Sequence, residues 1–189
     1  MGLVVGDREV RPLTADEVMR MVEAGVLGED EPVELLHGVL TAVSPKSAEH
    51  GSVVARLVRW LVESDPERLL DIRIGHPLLV PDSTSLPEPD VLVTAASAPG
   101  NRHPTTALLV VEVAVSSLRI DTTIKAPLYA AADVPEYWIV DVAGRRLDVF
   151  TDPTPDGYAE HAALAPPQSV RPRDIDADPL ALAELFAGV

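Results

Sequence analysis

A chain of 189 residues, 47% hydrophobic and 24% charged, is long enough to enclose a core of its own, and it holds no apolar run of about 18 residues that would cross a membrane. Thirty acidic against fifteen basic residues leave a formal net charge of -15, which excludes the broad basic surface of a tight non-specific nucleic-acid binder. Screening beyond about 8 to 10 Å still permits a local positive patch. With no cysteine there is neither a disulfide nor a thiolate-held metal, so any metal must rest on oxygen or imidazole ligands.

Residues 1–8 lack the basic n-region and long apolar stretch of a secretory signal, and the expectation is a cytoplasmic protein with one domain over residues 1–189. Thr14-Ala15-Asp16-Glu17 is a capping box, and Val18, Met19, Met21 and Val22 predict a helix to about Ala24, ended by Gly25. Residues 33–36 and 39–43 flank His37-Gly38 as a hairpin, with Glu34 on its first strand, and Ser44-Pro45 stops the second. From Ser47 to about Glu63, Val53, Val54, Leu57, Val58, Leu61 and Val62 recur at helical spacing and predict the longest helix. Asp65-Pro66 breaks the chain, residues 69–74 and 78–80 read as strands, and 81–89 is a polar, proline-rich connection.

Pro89-Asp90 opens a strand at Val91, Leu92 and Val93, and residues 96–106 form a small-residue loop containing Gly100. Residues 108–115 are apolar on both alternating faces except at Glu112, the pattern of a central strand covered on both sides. An unpaired carboxylate there costs several kcal/mol, so Glu112 must be paired, bound to metal, or placed at the open end of the strand. A helix follows from near Leu118 and carries Lys125. Beyond it, 137–142 is another apolar strand, Ala143-Gly144-Arg145 a turn and 147–150 its hairpin partner. A weaker strand at 158–164, a proline-rich stretch at 166–178 and a short helix at 180–186 complete a mixed α/β chain with one sheet.

Asp90, Glu112 and Lys125 are the candidate catalytic set. Two carboxylates from neighbouring strands can hold a divalent cation, and a nearby ammonium can orient a water for attack on phosphorus. Plainer roles exist for each: Asp90 as a turn residue after proline, Glu112 as a structural ion pair, and Lys125 on a solvated helix face with Asp121, four residues earlier, as its partner. The chain carries only two lysines, Lys46 and Lys125, among its fifteen basic residues, so an ammonium at 125 is not what the composition supplies by default. His37, His76, His103 and His161 show no ligand spacing, Ser116 and Ser117 lack the Gly-x-Ser-x-Gly setting of a hydrolase nucleophile, and Tyr137 and Trp138 read as core or partner surface.

Glu34-Leu35-Leu36-His37-Gly38, Ser44-Pro45, His50, Pro89-Asp90-Val91, Val111-Glu112-Val113, Ser117, Arg119, Asp121, Lys125, Tyr129 and Glu136-Tyr137-Trp138 fall in an order and spacing that resembles the Uma2 (DUF820) family over residues 13–150. That family is similar to the restriction-endonuclease-like PD-(D/E)xK proteins. The resemblance implies a central mixed sheet flanked by helices, Mg2+ or Mn2+ as cofactor, and hydrolysis of DNA phosphodiester bonds. It assigns Asp90 and Glu112 to the metal, and Lys125 as the lysine that has moved to the helix, since Ala114 stands two residues after Glu112. Glu34, His50 and Ser117 become accessory residues. Glu34 could equally face water from its strand, and His50 could simply begin its helix. Residues 115–118 and Pro127 depart from the family pattern, and residues 165–189 form a C-terminal extension with a short helix. A homodimer is expected through an exposed edge at strand 137–142, and loss of the Lys125 side chain is expected to spare folding. The alternative is a non-catalytic nuclease-fold protein that binds a partner or small ligand through an acidic pocket.

Overall fold

A computed structural model of the chain describes residues 4–5, 7–28, 30–96 and 103–189. A short antiparallel pair, β1 (Val4–Val5) and β2 (Arg8–Glu9), precedes helix α1 (Ala15–Glu23). Thr14 caps that helix reciprocally: its hydroxyl accepts from the Glu17 N–H at 3.2 Å, and the Glu17 carboxylate accepts from the Thr14 N–H at 3.0 Å. β3 (Val33–Leu36) and β4 (Val39–Ala42) form the expected hairpin, turned by His37 at φ 49° and Gly38 at φ 79°. Gly38 is required twice over, because its φ is left-handed and a Cβ there would collide with Pro12. The hairpin is a sheet of its own, tied to the connection before Asp90 by a Leu86 N–H to Leu35 O bond of 2.7 Å.

Helix α2 (Ala48–Ser64) is followed by β5 (Leu70–Ile74), β6 (Val91–Ala95) and β7 (Leu109–Ala114). The chain then crosses over through α3 (Leu118–Ile120), a π-helical turn at Asp121–Lys125 and α4 (Ala126–Ala131) to β8 (Glu136–Asp141), β9 (Arg146–Thr154) and β10 (Gly157–Leu164). The main sheet runs β10-β9-β8-β7-β6-β5, antiparallel throughout except for the β7–β8 pair that the helical crossover joins. It is the mixed sheet flanked by helices that the resemblance implies. The expectation of one sheet is corrected: β1–β2, β3–β4 and the pair Ser169–Val170 with Leu180–Ala181 are separate two-stranded sheets, whose short strands do not join the main ladder. β7 lies fourth of the six strands and is buried along its whole length, which is why both its faces are apolar. Val111 and Val113 pack with Val53, Leu57 and Leu61 of α2, while Val110 and Ala114 pack with Ala126 and Tyr129 of α4.

Several expectations are corrected. Residues 78–80 are not a strand: Leu78 and Leu79 donate to the carbonyls of Pro87 and Pro104, isolated bonds among prolines that have no N–H with which to continue a ladder. Strand 137–142 is no edge, because β8 is paired on both sides by β7 and β9; the outer strands are β5 and β10, and edge pairing of two copies through β8 is ruled out. The closing helix is shorter than read, α5 (Leu182–Leu185), because Leu180–Ala181 form strand β12, paired with β11 (Ser169–Val170). Leu180, Leu182, Leu185 and Phe186 are buried in the same core as Leu57 and Trp138, so the C-terminal stretch completes that core rather than extending from it. Of the loop read at 96–106, residues 97–102 with Gly100 lie outside the described residues.

Candidate active site

The register between β6 and β7 pairs Val91 with Val111 and Leu92 with Val110, so the next position sets Asp90 against Glu112 at the end of the pair. Strand parity then puts Glu112 on the face covered by α4, with its neighbours Val110 and Ala114. Asp90 is buried. Its Oδ2 accepts the Val113 N–H at 2.9 Å and lies 2.9 Å from His50 Nε2, and its Oδ1 accepts from Lys46 Nζ at 2.9 Å. Burial alone would raise this carboxyl, but His50, the Val113 amide and Lys46 together hold it below the usual aspartate range.

Glu112 is 4% exposed, and its Oε1 accepts from Lys125 Nζ at 2.9 Å and from the Tyr129 hydroxyl at 2.7 Å. Burial pushes its carboxyl up to about 8 despite the ammonium beside it. Lys125, 5% exposed, also reaches Glu34 Oε1 at 3.0 Å. Burial works against its charge, yet Glu112, Glu34 and Asp121 hold the ammonium protonated above its ordinary range. Glu34 is therefore a buried member of the cluster and not a water-facing strand residue.

The helix bearing Lys125 takes its shape from Pro127. Proline donates no hydrogen bond and would kink a regular interior at a cost of about 3 kcal/mol. Here the backbone opens into a π turn, with the Ala126 N–H bonded five residues back to Asp121 O, and Pro127 falls in the first turn of α4. The wider turn also takes Asp121 out of the position expected of a residue four before Lys125. Asp121 is 1% exposed and accepts from Ser117 Oγ at 2.6 Å, and no direct ion pair joins it to Lys125. Burial raises its carboxyl to about 6, against the pull of Lys125 and the Ser117 bond. Ser117 thus orients Asp121 and makes no hydrogen bond to Asp90 or Glu112, while His50 touches Asp90 directly.

Two partners were not assigned from the sequence. Lys46 on Asp90 is one, and its signal was in plain view: it is the only other lysine in the chain. Tyr129, fully buried against Glu112, is the other. Glu88 stands exposed at the rim, where partial desolvation and the charge of Glu34 raise its carboxyl. Tyr137 and Trp138 are fully buried core residues. A cavity of about 610 Å³ runs from Lys46 and His50 along α2, past Val58 and Val62 to Ile74.

Among the described residues no three acidic or imidazole side chains converge tightly enough to form a closed metal cage. The donor set nevertheless suits a hard cation that keeps much of its water. Glu34 and Glu112 each spend one oxygen on Lys125, and their second oxygens accept no hydrogen bond from described groups. Among the described residues no sealed side-chain polar atom lacks a partner, so those two oxygens keep some accessible surface. Magnesium commonly uses one or two carboxylates and fills its remaining positions with water and substrate oxygens.

A mixed sheet flanked by helices, with Asp90 opposite Glu112 on adjacent strands and Lys125 supplied by the next helix, is the architecture expected of a restriction-endonuclease-like fold. More particularly, the chain belongs to the Uma2 family, whose family model, described as "Putative restriction endonuclease", matches residues 15–180. Among solved structures, the fold matches the crystal structure of "a putative nuclease belonging to DUF820" from Anabaena variabilis, with a TM-score of 0.76 and 16% identity over 93% of this chain and 98% of that one. At that identity the likeness speaks for the fold. No curated protein matches the sequence significantly.

Proposed function

We propose that this protein is a Mg2+- or Mn2+-dependent endonuclease that hydrolyses phosphodiester bonds of DNA in the cytoplasm. The observation that carries the reading is the meeting of Lys125 with Glu112, across the strand register from Asp90. Asp90 and Glu112 would hold the ion, with Glu34 as a further carboxylate. Bound there, it would polarise the phosphoryl oxygen and acidify the attacking water. The chain's own groups prepare that chemistry. Tyr129 and Lys125 grip one oxygen of Glu112 and leave the other free. His50 and the Val113 N–H fix one oxygen of Asp90, and Lys46 holds the other. Lys125, held protonated by its carboxylate neighbours, has the charge to orient the water or to offset negative charge building on phosphorus. To cut both strands of a duplex two copies would act together as a homodimer, which must use a surface other than β8.

The test is nicking and linearisation of supercoiled plasmid by purified protein with Mg2+ or Mn2+, beside Asp90→Asn and Glu112→Gln. Cleavage by the wild type alone supports the reading. The net charge of -15 favours the alternative, a non-catalytic member of the fold that binds a partner or small ligand through this pocket. Metal binding by a wild type that cuts neither duplex nor single-stranded DNA would be its signature.

A further inference from the structure

Both lysines of a chain with fifteen basic residues end on carboxylates of one site, Lys125 on Glu112 and Glu34, and Lys46 on Asp90. Their settings differ. Lys125 is sealed in, whereas the Lys46 side chain is 52% exposed on the irregular segment between β4 and the Ser47 cap of α2. The Lys46 ammonium takes the outer oxygen of Asp90, because the inner one is already held by His50 and the Val113 amide. Near it lies Gly75, which has no side chain to confine it: a Cβ there would stand 4.0 Å from Nζ. Lysine carries a compact charge on a flexible four-carbon stem, so this ammonium can leave Asp90 without moving the backbone.

We propose that Lys46 is a built-in counter-cation of Asp90 that a divalent metal ion must displace, so that Lys46 sets the metal concentration at which the site fills. The inference rests on the metal-site reading above. A divalent cation on the outer oxygen of Asp90 would meet a like charge at hydrogen-bonding distance, and the two cannot share that oxygen without strong repulsion. Lys46 is the group free to move, since the remaining contacts of Asp90 come from a buried imidazole and a strand amide. The site is thereby neutralised at low free metal and opened by exchange of one cation for another.

Calorimetric titration with Mn2+ alone, on wild type, Lys46→Met, Lys46→Arg and Asp90→Asn, distinguishes the outcomes without reference to activity. Lys46→Met should bind Mn2+ about tenfold or more tightly than wild type, within the 10- to 100-fold range over which groups bonded to metal ligands act. Lys46→Arg, which keeps the charge and can grip the carboxylate with two N–H groups, should bind no better than wild type, and Asp90→Asn should lose binding. Equal or weaker affinity in Lys46→Met, with wild type binding and Asp90→Asn not, overturns the role of Lys46 while leaving the metal site standing. No Mn2+ binding by any of the four overturns both.

Discussion

Lys125 Nζ lies 3.0 Å from Glu34 Oε1, a partner 91 residues away in the chain on the separate β3–β4 sheet. The same ammonium lies 2.9 Å from Glu112 Oε1, so one buried cation joins the β3–β4 hairpin to the central strand of the main sheet. Burial favours the protonated form of Glu112, but once both carboxyls are ionised, two carboxylates against one ammonium leave the trio net negative in a desolvated place. A cluster with that balance is poor at stabilising a fold and well suited to attracting a further cation.

Binding of Mg2+ or Mn2+ should therefore stabilise the protein by mass action, by about 2.7 kcal/mol at a hundredfold excess over the dissociation constant. Thermal unfolding followed with and without metal measures this directly. The Asp90→Asn, Glu112→Gln double variant should show no metal-dependent rise, and a rise equal to that of wild type would place the ion elsewhere.

Asp121 gives a pH signature of defined sign. Its folded pKa of about 6 lies above the ordinary 3.8, so between these values the folded state holds a proton that the unfolded chain has lost. Stability associated with this group is thus greatest below about pH 4, falls as pH rises through about 6, and is level above that, a change on the order of 2 to 3 kcal/mol. Asp121→Asn keeps an oxygen for Ser117 but cannot ionise. Its stability relative to wild type, from urea unfolding at a series of pH values, should climb between pH 4 and 6. A flat difference would mean that Asp121 ionises as an ordinary aspartate.

Much of this was legible in the chain itself, for reasons that can be named. The capping box at Thr14, the hairpin glycine and the apolar run around Glu112 are local patterns whose causes lie within a few residues. Asp90, Glu112 and Lys125 stood out because two carboxylates and a scarce lysine needed an account. The contacts of Glu34 and Lys46 depend instead on pairings over 91 and 44 residues, which periodicity does not encode. The π turn was hidden for another reason: Pro127 announced a disturbed helix, but not that the backbone would widen instead of kinking. Likewise an apolar strand such as β8 reads the same at an edge or in the interior until its neighbours are known.

Tyr129 tests how far the orientation of Glu112 matters. Tyr129→Phe removes one of two donors to Glu112 Oε1 and leaves the Lys125 bond in place, so stability should fall by about 1 to 2 kcal/mol in chemical denaturation. Cleavage should fall too, but by less than in any variant lacking Lys125. An unchanged rate would show that the ammonium alone is enough to fix the carboxylate.

The last expectation concerns Lys125 and revises the view that its loss spares folding. Lys125→Met leaves Glu34 and Glu112, both under 10% exposed, without the cation between them, and breaking a buried pair from one side costs about 3 to 5 kcal/mol. A fall in activity in that variant alone would therefore say little about catalysis. Adding Glu34→Gln removes one of the two carboxyl groups left without their cation, so Lys125→Met, Glu34→Gln should recover a large part of the lost stability in urea unfolding. Cleavage should not recover with it: an ammonium that orients water or offsets phosphate charge contributes about 10²-fold or more, and glutamine cannot replace it. Lys125→Arg adds a third comparison, since arginine keeps the charge but is larger, planar and never gives up its proton, and it must fit a pocket shaped around contacts of 2.9 and 3.0 Å. If the double variant regains both stability and wild-type cleavage, Lys125 serves only to neutralise its neighbours, and the water-activating role assigned to it is wrong.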